Sequence, residues 1–268
     1  MLKDITLGQY FPADSPIHRL DPRYKLVMII IYMVMLFSGD SMICLGIGFV
    51  YTFIAVAMTK ISLKVYLKSI KPIFPFLLFT AVLNLLFIRD GDIYFQWKII
   101  KITSEGVNTS LFMIIRIVLL LAGTSVLTYT TSPIVLTDAI ERLLNPLKKL
   151  RFPVHELAMM MSIALRFIPT LIEETDKIIS AQKARGAELD SGNIVKRAKN
   201  LIPILIPLLI SSFRRAEELA TAMECRCYNG GEGRTRLRQM KSGIADYIAL
   251  SVTVLFLLLT FFADKILK

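Results

Sequence analysis

The sequence has few of the residues that metal centres and disulfide frameworks need. It contains three cysteines, two histidines and one tryptophan among 268 residues. An odd cysteine count does not indicate a disulfide framework. Cys225 and Cys227 have no histidine or third cysteine close to them in the sequence, which argues against a zinc site. We therefore expect no bound metal in this chain.

Catalytic signatures are missing as well. No GxxxxGK phosphate loop, HExxH or GxSxG motif is present, and neither His18 nor His155 has an obvious catalytic partner in the sequence. The glycine-rich stretch 230–233 follows a predicted helix and precedes a basic run, so a hinge is favoured over a phosphate cradle. These absences disfavour an intramembrane enzyme and predict a chain with no catalytic residues and no cofactor of its own.

Apolar residues, in contrast, are abundant. They make up 54% of the chain, which is more than a soluble domain of this size carries, so the composition predicts an integral membrane protein. The net charge is +11. On a soluble protein this would suggest nucleic acid, but no basic stripe interleaved with aromatic residues is visible. The lysines and arginines instead fall in loops expected to face the cytoplasm and anionic lipid, so we expect a bilayer and no nucleic acid.

Five apolar segments predict an all-α membrane protein with about five transmembrane helices. Four lie in an N-terminal membrane part, residues 1–131, and the fifth lies in residues 243–268. Residues 60–71 contain four lysines and no acidic residue, so the positive-inside rule places this loop and the N-terminus in the cytoplasm of a multi-pass cell-membrane protein. The first segment is short for a bilayer that needs about 20 residues. The predicted spans are 22–37, 42–58, 72–88, 107–131 and 244–263.

Two polar residues lie inside predicted spans. Arg116 in the fourth span is a candidate functional residue, because ionisable groups at membrane depth usually have a role. The alternative, which we favour, is that it snorkels or pairs with a loop group in a bundle of short helices. Asn84 in the third span is expected to form a hydrogen bond between helices. The two residues give weak support to an alternative function, a self-sufficient secondary transporter or channel.

Residues 132–242 predict a cytoplasmic coupling module of one short and two long helices. The short helix is amphipathic, spans about residues 136–150, and is expected to bend at Asn145 and Pro146. The long helices, or arms, follow from Pro153 and from Asn193. Both contain apolar stretches, 157–172 and 201–210. Arg166 interrupts one stretch, and the other has only ten residues with two prolines, so we expect both to pack against the membrane part without crossing alone.

Each arm ends in a short box centred on an arginine. The first box is Ala184, Arg185 and Gly186, and the second is Cys225, Arg226 and Cys227, at an offset of 41 residues. An arginine near a helix end can hold a carboxylate bidentately, or it can cap its own helix through the helix dipole. Because both arms end alike, the pattern favours two docking sites for a pair of partners.

Three stretches carry a family resemblance. They are SPIHRLDPR at residues 15–23, the run from Leu136 to Leu189, and GGEGRTRL after the second arm. Together, over nearly the whole chain, they resemble the transmembrane T component of energy-coupling factor transporters. This resemblance implies a non-catalytic scaffold that rests on two ATP-binding-cassette (ABC) ATPase subunits and holds a membrane-embedded, substrate-binding S component. ATP and Mg²⁺ would be bound by the ATPase subunits, and the substrates would be vitamins or other micronutrients.

The resemblance also implies a role for the two boxes. By position, Ala184–Gly186 and the box around Arg226 are the ATPase contacts. The second box departs from the family pattern, in which Ala-Arg-Gly or a similar tripeptide is expected. Cysteine is small enough to replace alanine at Cys225. At Cys227 it replaces a glycine, which puts the local backbone geometry of this box in question.

Overall fold

A computed structural model describes most of the chain, namely residues 10–39, 41–88, 90, 92–97, 100–150, 152–187, 194–230 and 241–267. For a few of these positions only the backbone is described, namely residues 93–97, 100–102, 150, 194, 197, 198 and 267.

The described part is helical apart from one short strand pair, which confirms the all-α prediction. The strands β1, Ile93–Trp97, and β2, Ile100–Thr103, pair antiparallel in the segment between the third and fourth predicted spans. Short 3₁₀ turns occupy Lys71–Ile73 and Asn145–Leu150. The helices are α1 Pro16–Arg19, α2 Pro22–Ser38, α3 Met42–Thr59, α4 Leu63–Ile70, α5 Phe74–Phe87, α6 Ser104–Thr130, α7 Pro133–Leu144, α8 Val154–Ala184, α9 Ile194–Cys225 and α10 Ile244–Leu267.

Within the described residues, five helical segments are long and apolar enough to cross a membrane: 42–59, 63–87, 104–130, 154–184 and 244–266. Their number agrees with the sequence prediction, but the predicted span 22–37 is missing from the set and the segment 154–184 is added. α2 has 17 residues and is about 25 Å long at 1.5 Å per residue, which is less than the roughly 30 Å hydrocarbon core. α8 joins the set although Arg166 lies within it. Length and composition therefore allow α8 to span.

Two helix irregularities lie close to prolines, and the second of them was predicted. The third span consists of α4 and α5, joined by the 3₁₀ turn Lys71–Ile73, which lies just before Pro75. A proline has no N–H to donate to the carbonyl four residues earlier, so the regular ladder is interrupted there. The short amphipathic helix behaves similarly, because α7 ends at Leu144 and a 3₁₀ turn begins at Asn145, next to Pro146.

The described chain divides into two compact units, and the boundary falls within α7. The first unit, here the membrane unit, comprises residues 8–139 and 239–268 and contains α1–α6 and α10. The second, here the hairpin unit, includes residues 140–238 and contains α8 and α9.

Tyr32 of α2 is the centre of the membrane unit. Its side chain is buried, and its hydroxyl donates to the Leu119 carbonyl of α6 at 2.7 Å and lies 2.7 Å from the Thr52 hydroxyl of α3. The ring stacks on Tyr51, whose hydroxyl is 3.0 Å from the Thr253 hydroxyl of α10. Lipid tails give helices no hydrophobic reason to associate, so such polar contacts contribute to holding α2, α3, α6 and α10 together.

The N-terminal end of α2 is held by buried charged groups. The Asp246 carboxylate accepts the backbone N–H groups of Asp21 and Gly243, both at 2.7 Å, and so ties α2 to the start of α10. Lys25 donates to the Thr130 carbonyl and the Thr131 hydroxyl at the end of α6, each at 3.2 Å. The SPIHRLDPR stretch therefore has a structural role, because its Asp21 connects the start of α2 to α10.

Arg116 adopts the structural role that the sequence favoured. Its Nη2 donates to the Gly39 carbonyl at 2.8 Å, in the turn after α2. The guanidinium carbon lies 4.4 Å from the Phe112 ring centroid and 5.5 Å from that of Phe37. The arginine thus bonds a backbone carbonyl at the C-terminal end of α2, where an unsatisfied carbonyl in lipid would be costly.

Gly123 provides the first test of this packing. A Cβ built there would lie 2.3 Å from the Tyr32 ring, whereas one built on Gly46 meets nothing within 4 Å. We predict that Gly123→Ala destabilises the protein by about 1–3 kcal/mol through overpacking, and that Gly46→Ala does not. Thermal unfolding in detergent, followed by size-exclusion chromatography, measures both. Equal melting temperatures for the two variants would contradict this account of Tyr32.

The Asp246 joint provides the second test. Asp246→Ala leaves the buried Asp21 N–H without its acceptor, which costs about 1–3 kcal/mol, so the same assay should show a lower melting temperature. Asp14→Ala is the matched control. Asp14 is likewise a hydrogen-bonded carboxylate: it pairs with Arg19, whose guanidinium lowers the pKa of that carboxyl, but both side chains are exposed. Exposed pairs contribute little, so a comparable loss in the control would contradict a special role for Asp246.

Candidate functional site

The two arms form an antiparallel helical hairpin. Glu174 of α8 accepts hydrogen bonds from Ser211 and from Arg215 of α9, the latter at 2.7 Å to Nη2. Gln182, further along α8, contacts Pro203, which comes earlier in α9. The two helices therefore run in opposite directions. Because each box is at the C-terminal end of its helix, the two boxes lie at opposite ends of the hairpin.

The Gln182 contact compensates for a proline. Pro207 lies inside α9 and has no N–H to donate to the carbonyl of Pro203, four residues before it. Gln182 Nε2 donates to that carbonyl at 3.2 Å. A backbone group that α9 cannot satisfy is therefore satisfied by α8, and this contact also contributes to the register of the hairpin.

The first box is a helix end of the Schellman type. The Gly186 N–H donates to the Lys183 carbonyl at 3.0 Å, and the Ala187 N–H donates to the Gln182 carbonyl at 3.0 Å. Gly186 has a φ of 82°, in the left-handed region that this cap requires. Arg185 is exposed at the bend.

The second box has the same backbone geometry. The Cys227 N–H donates to the Glu224 carbonyl at 2.8 Å, and the Tyr228 N–H donates to the Met223 carbonyl at 3.0 Å. These bonds match those of the first box at the 41-residue offset. Cys227 has a φ of 57°, so a non-glycine residue occupies the left-handed position at a cost of roughly 1–2 kcal/mol. Replacing glycine by cysteine thus leaves the bend unchanged.

The two boxes are well separated. The contacts of Glu174 and Gln182 place the end of α9, Cys225, opposite about residue 160 of α8. From there to Ala184 the helix advances roughly 36 Å at about 1.5 Å per residue. The hairpin therefore presents two equivalent bends, each with an exposed arginine, at its two ends.

Arg166 lies at one of these ends. A cavity of about 550 Å³ lies between α8 and the end of α9, and both Arg166 and Arg226 line it. From the sequence, Arg166 is only an interruption in an apolar stretch. The 41-residue offset between the arms does not predict that Arg166 lies near the second box, because that proximity follows from the antiparallel register of the two helices.

The cysteines and histidines take structural positions. α9 ends at Cys225, so Cys227 lies beyond the helix, in the bend that follows it. Among the described residues, no group of three side chains suited to a metal ion occurs. Both histidines have partners that the sequence did not reveal. His18 contacts the buried N-cap Ser15, and His155 contacts Glu141 at 3.1 Å.

One side of α9 is apolar and exposed. Seven large apolar side chains on this side are between 48% and 68% exposed. The face is available to lipid or to another membrane protein. It comprises Leu201, Ile202, Leu205, Ile206, Leu209, Ile210 and Phe213.

Comparison with known proteins agrees with this architecture. The family described as "Cobalt transport protein" matches residues 13–237. The energy-coupling factor transporter transmembrane protein EcfT of Acidaminococcus fermentans is 55% identical over 263 residues, covering 97% of both chains. EcfT of Clostridium kluyveri is 55% identical over 251 residues, 93% of both chains. EcfT of Bacillus subtilis is 45% identical over 262 residues, 97% of this chain and 99% of its own. The chain belongs to the family of multi-pass transmembrane proteins of energy-coupling factor transporters.

Proposed function

We propose that this chain is the coupling subunit of an ATP-driven importer. It links two ABC-type ATPase subunits to a membrane-embedded, substrate-binding S component that takes up vitamins or other micronutrients. The chain is non-catalytic in this complex, and ATP and Mg²⁺ are bound by the ATPase subunits. Its N-terminus and the α8–α9 hairpin face the cytoplasm, in line with the four lysines of residues 60–71.

The observation that carries the proposal is the repeated helix end. Two bends with matching backbone hydrogen bonds each expose one arginine, and they lie about 36 Å apart along the hairpin. A distance of about 30 Å is the diameter of a small domain. Two separate subunits can therefore each occupy one bend, and one ATPase subunit docks at each box.

The docking chemistry follows from the arginine. A guanidinium presents a rigid fork of donors that fits a carboxylate bidentately, which adds geometric specificity to the attraction. At a helix end of this type, the left-handed residue turns the chain sharply after the arginine. We assign Ala184, Arg185 and Gly186 to one ATPase contact, and Cys225, Arg226 and Cys227 to the other.

The hairpin is suited to transmitting movement between partners. Glu174 bonds Ser211 and Arg215, and Gln182 bonds the Pro203 carbonyl, so the two helices are held by side-chain contacts at two levels. A displacement imposed at either box moves both helices together. We assign the exposed apolar face of α9, from Leu201 to Phe213, to the contact with the S component and the lipid around it.

A pull-down tests the function as a whole. Tagged protein is isolated from its native membrane in mild detergent, and the bound chains and ATPase activity are measured. The proposal expects two ATPase subunits and a small apolar membrane protein. A chain that purifies alone and moves solute in liposomes without ATP would contradict it, and would favour the secondary transporter or channel.

Charge reversal tests the two boxes. Arg185→Glu and Arg226→Glu each replace attraction for a carboxylate by repulsion, so we predict at least a tenfold loss of ATPase co-purification and of ATP-driven uptake. Lys177→Glu is the control, because Lys177 is also exposed on α8 but lies outside both boxes. Normal assembly and uptake in both box variants would contradict the docking assignment, as would an equal loss in the control.

At the second box, substitutions can show whether the ATPase subunit recognises the backbone bend or the cysteine side chain. Cys227→Gly removes the Cβ at a φ of 57° and should stabilise the protein by about 1 kcal/mol, while ATPase binding is retained. Cys225→Gly, within the last turn of α9, should instead destabilise it by up to about 1 kcal/mol. Thermal unfolding and co-purification measure the two effects. If Cys227→Gly abolished ATPase binding, the thiol and not the bend would be the recognised feature.

A further inference from the structure

The cavity beside the second box brings two arginines together. It has a volume of about 550 Å³ and lies within the hairpin unit. Arg166 comes from the first half of α8, and Arg226 comes from the bend after α9. The other lining side chains are apolar on the two helices, namely Met159, Ile163, Leu219 and Met223. The remaining wall is the turn Cys227–Gly230.

The antiparallel register explains why these residues meet. Met159, Ile163 and Arg166 are spaced by four and three residues and so share one face of α8. Leu219, Met223 and Arg226 have the same spacing at the end of α9, although Arg226 lies just beyond the helix. Cys227 and Gly230 both have positive φ, 57° and 79°, and the turn between them lines the cavity beyond the end of α9.

The charge of the cavity is not balanced by its own walls. None of its described lining residues is acidic. Elsewhere in the described structure, Arg215 pairs with Glu174 and Arg23 pairs with Asp21. Two guanidiniums on one concave surface repel each other and raise the local concentration of anions. The apolar wall excludes water from one side, which strengthens an ionic hydrogen bond formed there.

We propose that Arg166 and Arg226 together form a binding site for one carboxylate side chain of the ATPase subunit that docks at the second box. This inference rests on the proposed function and adds Arg166 to it. The methionines adapt to the aliphatic part of the incoming acidic side chain, and the guanidiniums hold its carboxylate.

The site makes the two boxes unequal. At the first box, Arg185 is exposed at the helix end and is not among the residues that line this cavity. The second box receives its partner's carboxylate in a cavity, with a second arginine on the opposite wall. The ATPase contact at the second box consequently requires residues of both helices, Arg166 from α8 and Arg226 from the end of α9.

The two exposed cysteines permit a direct test of the cavity. Cys227 lines it and Cys225 does not, so a Cys225→Ser variant reports on the cavity and a Cys227→Ser variant is its matched control. Each full-length protein is reacted with a negatively charged sulfonatoethyl or a positively charged trimethylammonioethyl methanethiosulfonate. The thiolate attacks the sulfenyl sulfur, a disulfide forms and methanesulfinate leaves. Intact mass gives the rates.

We expect the anionic reagent to be favoured at Cys227, with an anionic-to-cationic rate ratio roughly tenfold above that at Cys225. Arg166→Gln should lower the ratio at Cys227 and leave it unchanged at Cys225. Salt should weaken the preference, since partly exposed charges are screened. If Arg166→Gln leaves the ratio at Cys227 unchanged, Arg166 does not act on this cavity and the inference is overturned.

Assembly with the ATPase subunits completes the test. Arg166→Gln should weaken ATPase co-purification about tenfold, whereas Arg214→Gln, the same change at an exposed arginine of α9 outside the cavity, should not. Loss with Arg226→Gln but not with Arg166→Gln would overturn the inference and leave the docking assignment standing. No loss with Arg185→Gln or Arg226→Gln would overturn the docking assignment itself.

A lipid phosphate is the competing ligand. Vesicles containing anionic phospholipid, compared with purely zwitterionic vesicles, measure this possibility with the purified full chain. The inference expects Arg166→Gln to leave vesicle binding unchanged while ATPase binding falls. If vesicle binding falls and ATPase binding is unchanged, the cavity takes a lipid headgroup and the assignment to a protein carboxylate is wrong.

Discussion

The hairpin unit depends on one backbone carbonyl. Pro207 leaves the Pro203 carbonyl without a partner inside α9, and the Gln182 amide of α8 donates to it at 3.2 Å. The bond is exposed, so its net contribution is about 0.5–1.5 kcal/mol, and it favours this register of the two helices. Together with the Glu174 contacts, it places the end of α9 beside the first half of α8. The separation of the boxes and the meeting of Arg166 with Arg226 both follow.

The membrane unit satisfies the same constraint with different groups. Tyr32 bonds a carbonyl of α6, Arg116 bonds the carbonyl of Gly39, and Asp246 accepts the N–H of Asp21. Each contact joins two helices that lipid would not otherwise drive together. Polar residues within apolar helices are therefore structural joints in this protein, and Arg116 is one of them. This reduces the support for a self-sufficient transporter, which drew on Arg116 as a substrate residue.

Much of this architecture is readable from the sequence, because helix length, prolines and charge distribution are local properties. The extent of α3, the start of α9 and the break at Asn145 agree with the predictions, whereas α6 begins three residues earlier than the predicted span. Three features were not, since they depend on contacts between distant residues. These are the shared backbone of the boxes despite Cys227, the cavity that brings Arg166 to Arg226, and the strand pair 93–103. That the length and composition of α8 also allow a span was not predicted either, because Arg166 interrupts its apolar stretch.

The opposite placement of the two boxes has a mechanical consequence. A rigid hairpin with a partner bound at each end translates when both partners move in the same direction, and rotates when they move in opposite directions. Because the two ends are about 36 Å apart, small opposed displacements become a torque about the middle of the hairpin. The axis of that torque passes near Glu174 and Arg215, where the helices are bonded. The hairpin can thus distinguish concerted from opposed motion of whatever holds its ends, and pass each on as a different movement.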